Sequence, residues 1–324
     1  MPIPQILWAG TILTVACCAA AMPAHAEPAR SVKVTVLSTM LAGDPGRGIG
    51  EWGFAALVEV DGQQFLFDTG ARPEAVLRNA AELGIDLSVV TDLIITHNHA
   101  DHTGGLVPLR RAVAAKNSRA LSRAHVARGI FDRRPLPDGS EGNGLLPLKA
   151  EYESLGGTFI EHKGPIQLGP SVWFTGPVPR NHPERNWSGK GQVQTPAGLV
   201  EDAIAEDASL VIDTPDGLIV VSGCGHAGII NTIDQARRVV REANVLAAIG
   251  GFHLFPANDS VLKWTGSKLK EFGLRYMLGA HCTGVEAVFQ LRSIAGLTRA
   301  DAVVGAVGST FILGRGIDAL SLAR

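Results

Sequence analysis

The chain has 324 residues, 46% of them hydrophobic, which is enough to bury a large core in one large domain or two small ones. Its 29 Lys and Arg against 31 Asp and Glu leave a formal net charge of -2, so no global field favours nucleic acid or an anionic membrane surface. These figures predict a soluble globular protein without a nucleic-acid partner; the small-molecule substrate expected for it comes from the motifs below.

Residues 1–26 contain no Asp, Glu, Lys or Arg, are apolar from Ile6 to Met22, and close on Ala24-His25-Ala26 before Glu27. This reads as a secretory signal cleaved after Ala26, and predicts a periplasmic or secreted protein without stable membrane insertion after cleavage. Cys17 and Cys18 leave with the signal, so Cys224 and Cys282 remain. Export permits a disulfide, but both lie next to suspected metal ligands, so their state stays open.

Residues 32–37 alternate and are β-branched, which predicts a strand. Residues 54–60 and 64–67 flank Asp61-Gly62, a strong hairpin signal, and the second strand ends in Asp68-Thr69-Gly70. The Gly-rich loop 42–52 reads as the rim of a site. Residues 73–83 read as a helix with Pro73 at its start and Gly84 as its stop. A strand over 89–96 then discharges into Thr96-His97-Asn98-His99-Ala100-Asp101-His102-Thr103-Gly104-Gly105, followed by a helix over 104–115.

Four potential metal ligands thus fall within six residues. His97 and His99 alternate, so an extended backbone turns them to one side, and Asp101 and His102 approach from a second direction. Imidazole with carboxylate suits zinc, with iron or manganese as alternatives. H-x-H-x-D-H after a strand resembles the signature of the metallo-β-lactamase superfamily. The resemblance implies an α/β fold, a four-layer αβ/βα sandwich, with one or two metals at the edge between its sheets. It also implies that Asp68, in D-T-G, lies under the metals and orients their ligands.

Residues 116–205 are the least legible and read as an irregular insertion within a single domain over 27–324. They hold short candidate strands at 158–161 and 171–175 and a helix at 146–155. His125, His162 and His182 lie here without ligand spacing and read as surface residues. The stretch 176–180, with Glu184 following, reads as a loop on the substrate side.

Beyond it, strands are predicted at 208–214, 218–222, 245–249, 275–278 and 309–313, with helices at 229–242 and 260–272 and a further one before the last strand. Three of these strands run into Cys224 and His226, into His253, and into His281. Groups that follow strand ends gather in layered α/β folds. G-C-x-H-A-G, G-G-F-H-L and H-C-T-G, together with the first motif, resemble the superfamily branch named after 7,8-dihydropterin-6-methyl-4-(β-D-ribofuranosyl)-aminobenzene-5′-phosphate synthases. Where the superfamily usually has a histidine before the strand at 208, this chain has Glu206-Asp207. Cys224 stands where a bridging aspartate is typical.

The expected assignment places His97, His99 and His226 on one divalent ion and Asp101, His102 and His281 on another. Cys224 is a possible added or bridging ligand, and Asp207 a fallback for His226. Asp101, Asp68 and His253 are the expected catalytic residues, His253 as a proton carrier or as a donor behind the ligands. Two such ions, ~3.5–4 Å apart, hold a hydroxide for attack on a polarised carbonyl or phosphoryl oxygen. The expected function is an exported metal-dependent hydrolase of a small ester, lactone, amide or phosphodiester. The alternatives are a dihydropterin-linked synthase or transferase, and a non-catalytic metal or ligand binder.

Overall fold

A strand that is apolar at every position, rather than at every second one, must be buried on both faces, and several strands of this chain have that composition. The computed structural model describes Met1 and residues 27–323, so the rest of the segment read as a secretory signal lies outside the described residues.

The first half builds one sheet. β1 (Val32–Ser38), β2 (Ala55–Val60) and β3 (Gln63–Phe67) are antiparallel neighbours, and β4 (Asp92–Ile95), β5 (Arg123–Ala127) and β6 (Thr158–His162) follow in parallel. Their crossovers carry α1 (Ala75–Glu82), α2 (Ala100–Thr103), α3 (Leu106–Ala114) and α4 (Leu145–Ser154). Asp61 and Gly62 have φ of 46° and 85°, the positive pair that a tight β2–β3 turn requires.

The second half builds the other sheet. β7 (Ile166–Gly169) and β8 (Val172–Phe174) open it, and a separate hairpin, β9 (Gln192–Thr195) and β10 (Gly198–Glu201), intervenes. β11 (Ser209–Thr214), β12 (Gly217–Ser222), β13 (Val245–Gly250), β14 (Tyr276–Gly279) and β15 (Ala302–Val304) continue the sheet, with α5 (Ile229–Val239), α6 (Asp259–Glu271) and α7 (Val285–Ala295) between its parallel strands. β16 (Thr310–Ile312) and β17 (Gly316–Asp318) return to the first sheet beside β1, giving sheets of eight and seven strands.

Side-chain alternation sorts the apolar runs into three cores. Ile94, Ile219 and Val221 point between the sheets, where they meet Phe54, Phe67, Phe174 and Phe311. Leu93 and Ile95 point the other way, onto α1, α3 and α4, and Leu218 and Val220 point onto α5 to α7. Each such side chain contributes ~1.5–3 kcal/mol by leaving water. The result is four layers, helix, sheet, sheet and helix, as the resemblance implied.

Three readings need correction. Residues 87–89 form a 3-10 turn, in which Asp86 Oδ1 accepts from Ser88 N at 3.0 Å, so the strand before the histidines is only Asp92–Ile95. Asp101 and His102 do not lie on a turn leading into the helix at 104–115, whose regular part is α3. They lie in their own short helix, α2, which starts as soon as the extended His99 ends. Residues 116–205 are not an irregular insertion throughout, because β5, α4, β6, β7 and β8 all join the layers. β5 was missed because Arg123 and His125 break its apolar pattern; both reach Asp92 on β4.

Candidate metal centre

Apart from Asp101 and His102, which lie in α2, the candidate side chains follow strands directly. Asp68 follows β3, His97 and His99 follow β4, Cys224 and His226 follow β12, His253 follows β13 and His281 follows β14. Parallel strands end in one plane, so residues far apart in the chain meet at a single sheet edge.

The first donor set is His97, His99 and His226, whose potential ligand atoms lie within 4.8 Å of one another. The ring centroids are 4.6 Å (His97–His99), 4.8 Å (His97–His226) and 4.9 Å (His99–His226) apart. Hydrogen bonds behind the rings fix two tautomers. His226 Nδ1 donates to the Asn186 carbonyl oxygen at 2.5 Å. Thr96 Oγ1 donates to Asp68 Oδ2 at 2.8 Å, so at 3.0 Å it accepts from His97 Nδ1. Both Nε2 atoms therefore carry lone pairs, and both are buried without a partner. Burial and the neighbouring imidazoles hold the pKa of His97 and His226 well below the usual histidine range, and burial brings His99 down to about 4. Neutral imidazoles with converging lone pairs are what a cation requires.

The second set is Asp101, His102, Cys224 and His281, again within 4.8 Å. Asp101 Oδ2 is 3.2 Å from His281 Nε2 and 3.9 Å from His102 Nε2. Cys224 Sγ is 3.1 Å from His102 Nε2 and 3.4 Å from His281 Nε2. Burial opposes the Asp101 charge, but His102 and His281 keep its pKa well below the usual carboxylate range. Asp68 is not among the donors. It sits beneath them, fully buried, taking the Thr96 N–H at 2.9 Å and His102 Nδ1 at 2.7 Å. The second of these bonds turns His102 Nε2 towards the site.

Gly223 makes this shelf possible, though not by bending the chain. A Cβ there would lie 2.3 Å from Thr96 Oγ1 and 2.6 Å from Asp68 Oδ2, so only glycine fits. The turn comes from Gly225, with φ of 63°. Asp207 does not join the donors; its Oδ2 accepts from Ala227 N at 2.8 Å and pins the turn that carries His226. Asp68, His253 and His281 have left-handed φ of 54°, 47° and 46°, conformations that non-glycine residues hold mainly where a site demands them.

A cavity of about 820 Å³ opens over this edge, lined by His99, His226 and His253 and walled by Trp187, Phe255 and Trp264. Its far wall is residues 183–188, slightly later than the loop expected at 176–180, although Glu184 belongs to both. Trp52, 47% exposed, lies tilted against His281 at 4.8 Å and edges Phe255 at 5.4 Å. Thr96, Asn186 and Trp52 were not singled out in the sequence. Asn186 acts through its backbone carbonyl, for which no residue signal exists, whereas Thr96 precedes the motif directly and was open to notice.

Comparisons with known proteins bear on the family and the fold. Residues 53–183 match the sequence profile of the metallo-beta-lactamase superfamily. A 7,8-dihydropterin-6-methyl-4-(beta-D-ribofuranosyl)-aminobenzene-5'-phosphate synthase of Methanocaldococcus jannaschii is 30% identical over 265 residues, covering 79% of this chain and 89% of that protein. The structure of Tm1679, described as a metal-dependent hydrolase of the beta-lactamase superfamily, superposes with a TM-score of 0.68 at 25% identity, over 86% of this chain and 98% of that one. Zn(2+)-bound PqqB from Methylobacterium extorquens shares the fold, with a TM-score of 0.52 at 14% identity over 86% of this chain and 99% of that one. The chain belongs to the metallo-beta-lactamase superfamily, in the branch that contains the M. jannaschii protein.

Proposed function

We propose that the protein is an exported, dinuclear metal-dependent hydrolase of a small ester, lactone, amide or phosphodiester. The observation that carries this reading is the convergence of two donor sets at one sheet edge, the first of them opening onto the cavity through His99 and His226, with the buried Nε2 atoms of His97 and His226 left without partners. An unsatisfied buried acceptor costs ~1–3 kcal/mol, so a fold that keeps two of them side by side has a use for them. His97, His99 and His226 would hold one ion, and Asp101, His102 and His281 the other, with Cys224 added to the second or shared. The mixed donors fit zinc, and iron or manganese next. Divalent ions there supply Lewis-acid polarisation of the substrate and activation of water near neutral pH.

The chain's own residues do the rest. Asp68 and Thr96 hold His102 and His97 in the tautomers that present Nε2. Asn186, from the far wall of the cavity, does the same for His226. Trp187, Phe255 and Trp264 exclude water and take the apolar part of a small substrate. The likeness to Tm1679, itself described as a hydrolase, supports the reaction class. Export rests on the sequence of residues 1–26 alone, and the intact mass of the periplasmic product tests it.

The identity with the M. jannaschii synthase favours a second reading, the dihydropterin-linked synthesis that its name describes. The deciding experiment is metal analysis of the purified protein, followed by turnover assays with ester, lactone, amide, phosphodiester and dihydropterin substrates, each with and without chelator. Chelator-sensitive hydrolysis is the expected result. Full metal content with no hydrolysis, but with dihydropterin condensation, would replace the first reading by the second.

A further inference from the structure

We infer that Cys224, His253 and Cys282 form a further metal position, rich in thiolate and joined through Cys224 to the second donor set. This inference rests on the metal-centre reading above and extends it. The two donor sets there use neither His253 nor Cys282.

The potential ligand atoms of these three residues also lie within 4.8 Å of one another. The two thiols are free, both buried, with Sγ atoms 3.3 Å apart. His253 lines the cavity, and its ring is held 4.5 Å from that of His226 and 5.2 Å from that of Phe255. Its Nδ1 atom is nevertheless buried without a partner.

The backbone is arranged to keep the three together. Leu254 N and Phe255 N both donate to the Cys282 carbonyl oxygen, at 3.0 and 3.1 Å, and Phe252 N donates to Thr283 Oγ1 at 3.1 Å. The loops after β13 and β14 are therefore tied on both sides of His253, which holds that residue in its left-handed conformation with φ of 47°. Gly251 lets the loop after β12 approach as well. A Cβ there would lie 2.1 Å from the Gly223 carbonyl oxygen and 2.9 Å from Cys282 Sγ. Three loops are thus packed backbone to backbone around two thiols and an imidazole.

Two thiolates and one imidazole select a borderline or soft divalent ion, zinc, cobalt or iron, over magnesium, calcium or manganese. Three protein ligands leave a fourth position open, as in zinc sites that take a water or a substrate atom. Binding requires both sulfurs as thiolates, so any thiol proton still on them is released.

The test uses the full mature chain, stripped with chelator and titrated anaerobically with Co(II). Cobalt bound per chain is counted, and the near-ultraviolet thiolate-to-cobalt band is followed. Three equivalents are expected, with the band still growing at the third. Cys282→Ser, close to isosteric, should bind two and lose the growth at the third equivalent. His253→Asn, a residue that tolerates left-handed φ, should weaken the third equivalent alone. Saturation of the wild type at two equivalents would overturn this position and leave the dinuclear reading intact. So would a Cys282→Ser titration identical to the wild type, or the absence of free thiols because Cys224 and Cys282 are joined as a disulfide. Fewer than two equivalents would overturn the dinuclear reading as well.

Discussion

Two histidine clusters sit at opposite ends of β4, and only one of them looks like a metal site. Asp92 opens the strand, and its Oδ1 is 3.0 Å from His125 Nε2, while His125 Nδ1 is 3.0 Å from His162 Nε2. The two rings stack at 5.3 Å, and Arg123 donates to the same carboxylate at 2.9 and 2.6 Å. A cavity of about 570 Å³ adjoins this cluster too. Yet the facing nitrogens there satisfy one another, whereas past the other end of the strand His97 and His226 present unpartnered Nε2 atoms. Histidines that are merely close, beside a cavity, do not mark a metal centre; lone pairs aimed at one another with nothing between them do.

The largest expected effect that tests this contrast is at Asp101. Asp101→Ala should remove one metal equivalent and lower turnover about a thousandfold, since loss of Lewis-acid stabilisation is worth several kcal/mol. The melting temperature of the metal-free protein should hardly change, because Asp101 lies outside the three apolar cores. A variant with full metal content and full activity refutes the assignment. Asp68→Asn comes next. It keeps the shape but upsets the hydrogen bonds to Thr96 and His102, and metal affinity, read by competition with a chelator, should fall ~10–100-fold.

The other cluster should affect stability and leave turnover alone. Burial, and then His125, lower the pKa of His162. A histidine whose folded pKa lies below its unfolded value of ~6.5 leaves stability intact above that pH, and stability falls as pH drops through the window below it. Melting temperature measured from pH 8 to pH 5 should therefore decline, and His162→Gln should flatten the decline without changing metal content. An equal decline in the variant would show that this pair is not its source. The smallest effect is expected for Arg123→Ala, which removes the solvent-facing member of the ion pair with Asp92, its side chain 56% exposed, at a cost of ~0.2–1 kcal/mol, and should leave metal affinity unchanged.

Much of the fold was legible because local chemistry acts at short range. The β2–β3 hairpin follows from Asp61-Gly62, α1 from Pro73 and Gly84, and the strands of the second half from their apolar runs. The ligand types were legible for the same reason, since H-x-H-x-D-H concentrates them in one turn of chain. The regular elements in residues 116–205 were less so. β5 carries Arg123 and His125, and β7 and β8 are short, so pairing with neighbours, and not propensity, decides them. His125 and His162 read as surface residues; they are 8% and 9% exposed, because the second sheet folds back over them.

By itself, the sequence determined which residue types stand at the strand ends and in what order, because alternation and turn chemistry are local. Only the tertiary structure decided which of those residues face each other. His97 and His226 are remote in the chain, and what brings their rings to 4.8 Å is the packing of two sheets through Ile94, Ile219 and Val221. The same packing sets the tautomers, through a carbonyl from Asn186 and a carboxylate from Asp68 that no local pattern aims. A lone pair's direction depends on whatever lies behind the ring. For His102 and His226 that partner comes from another loop.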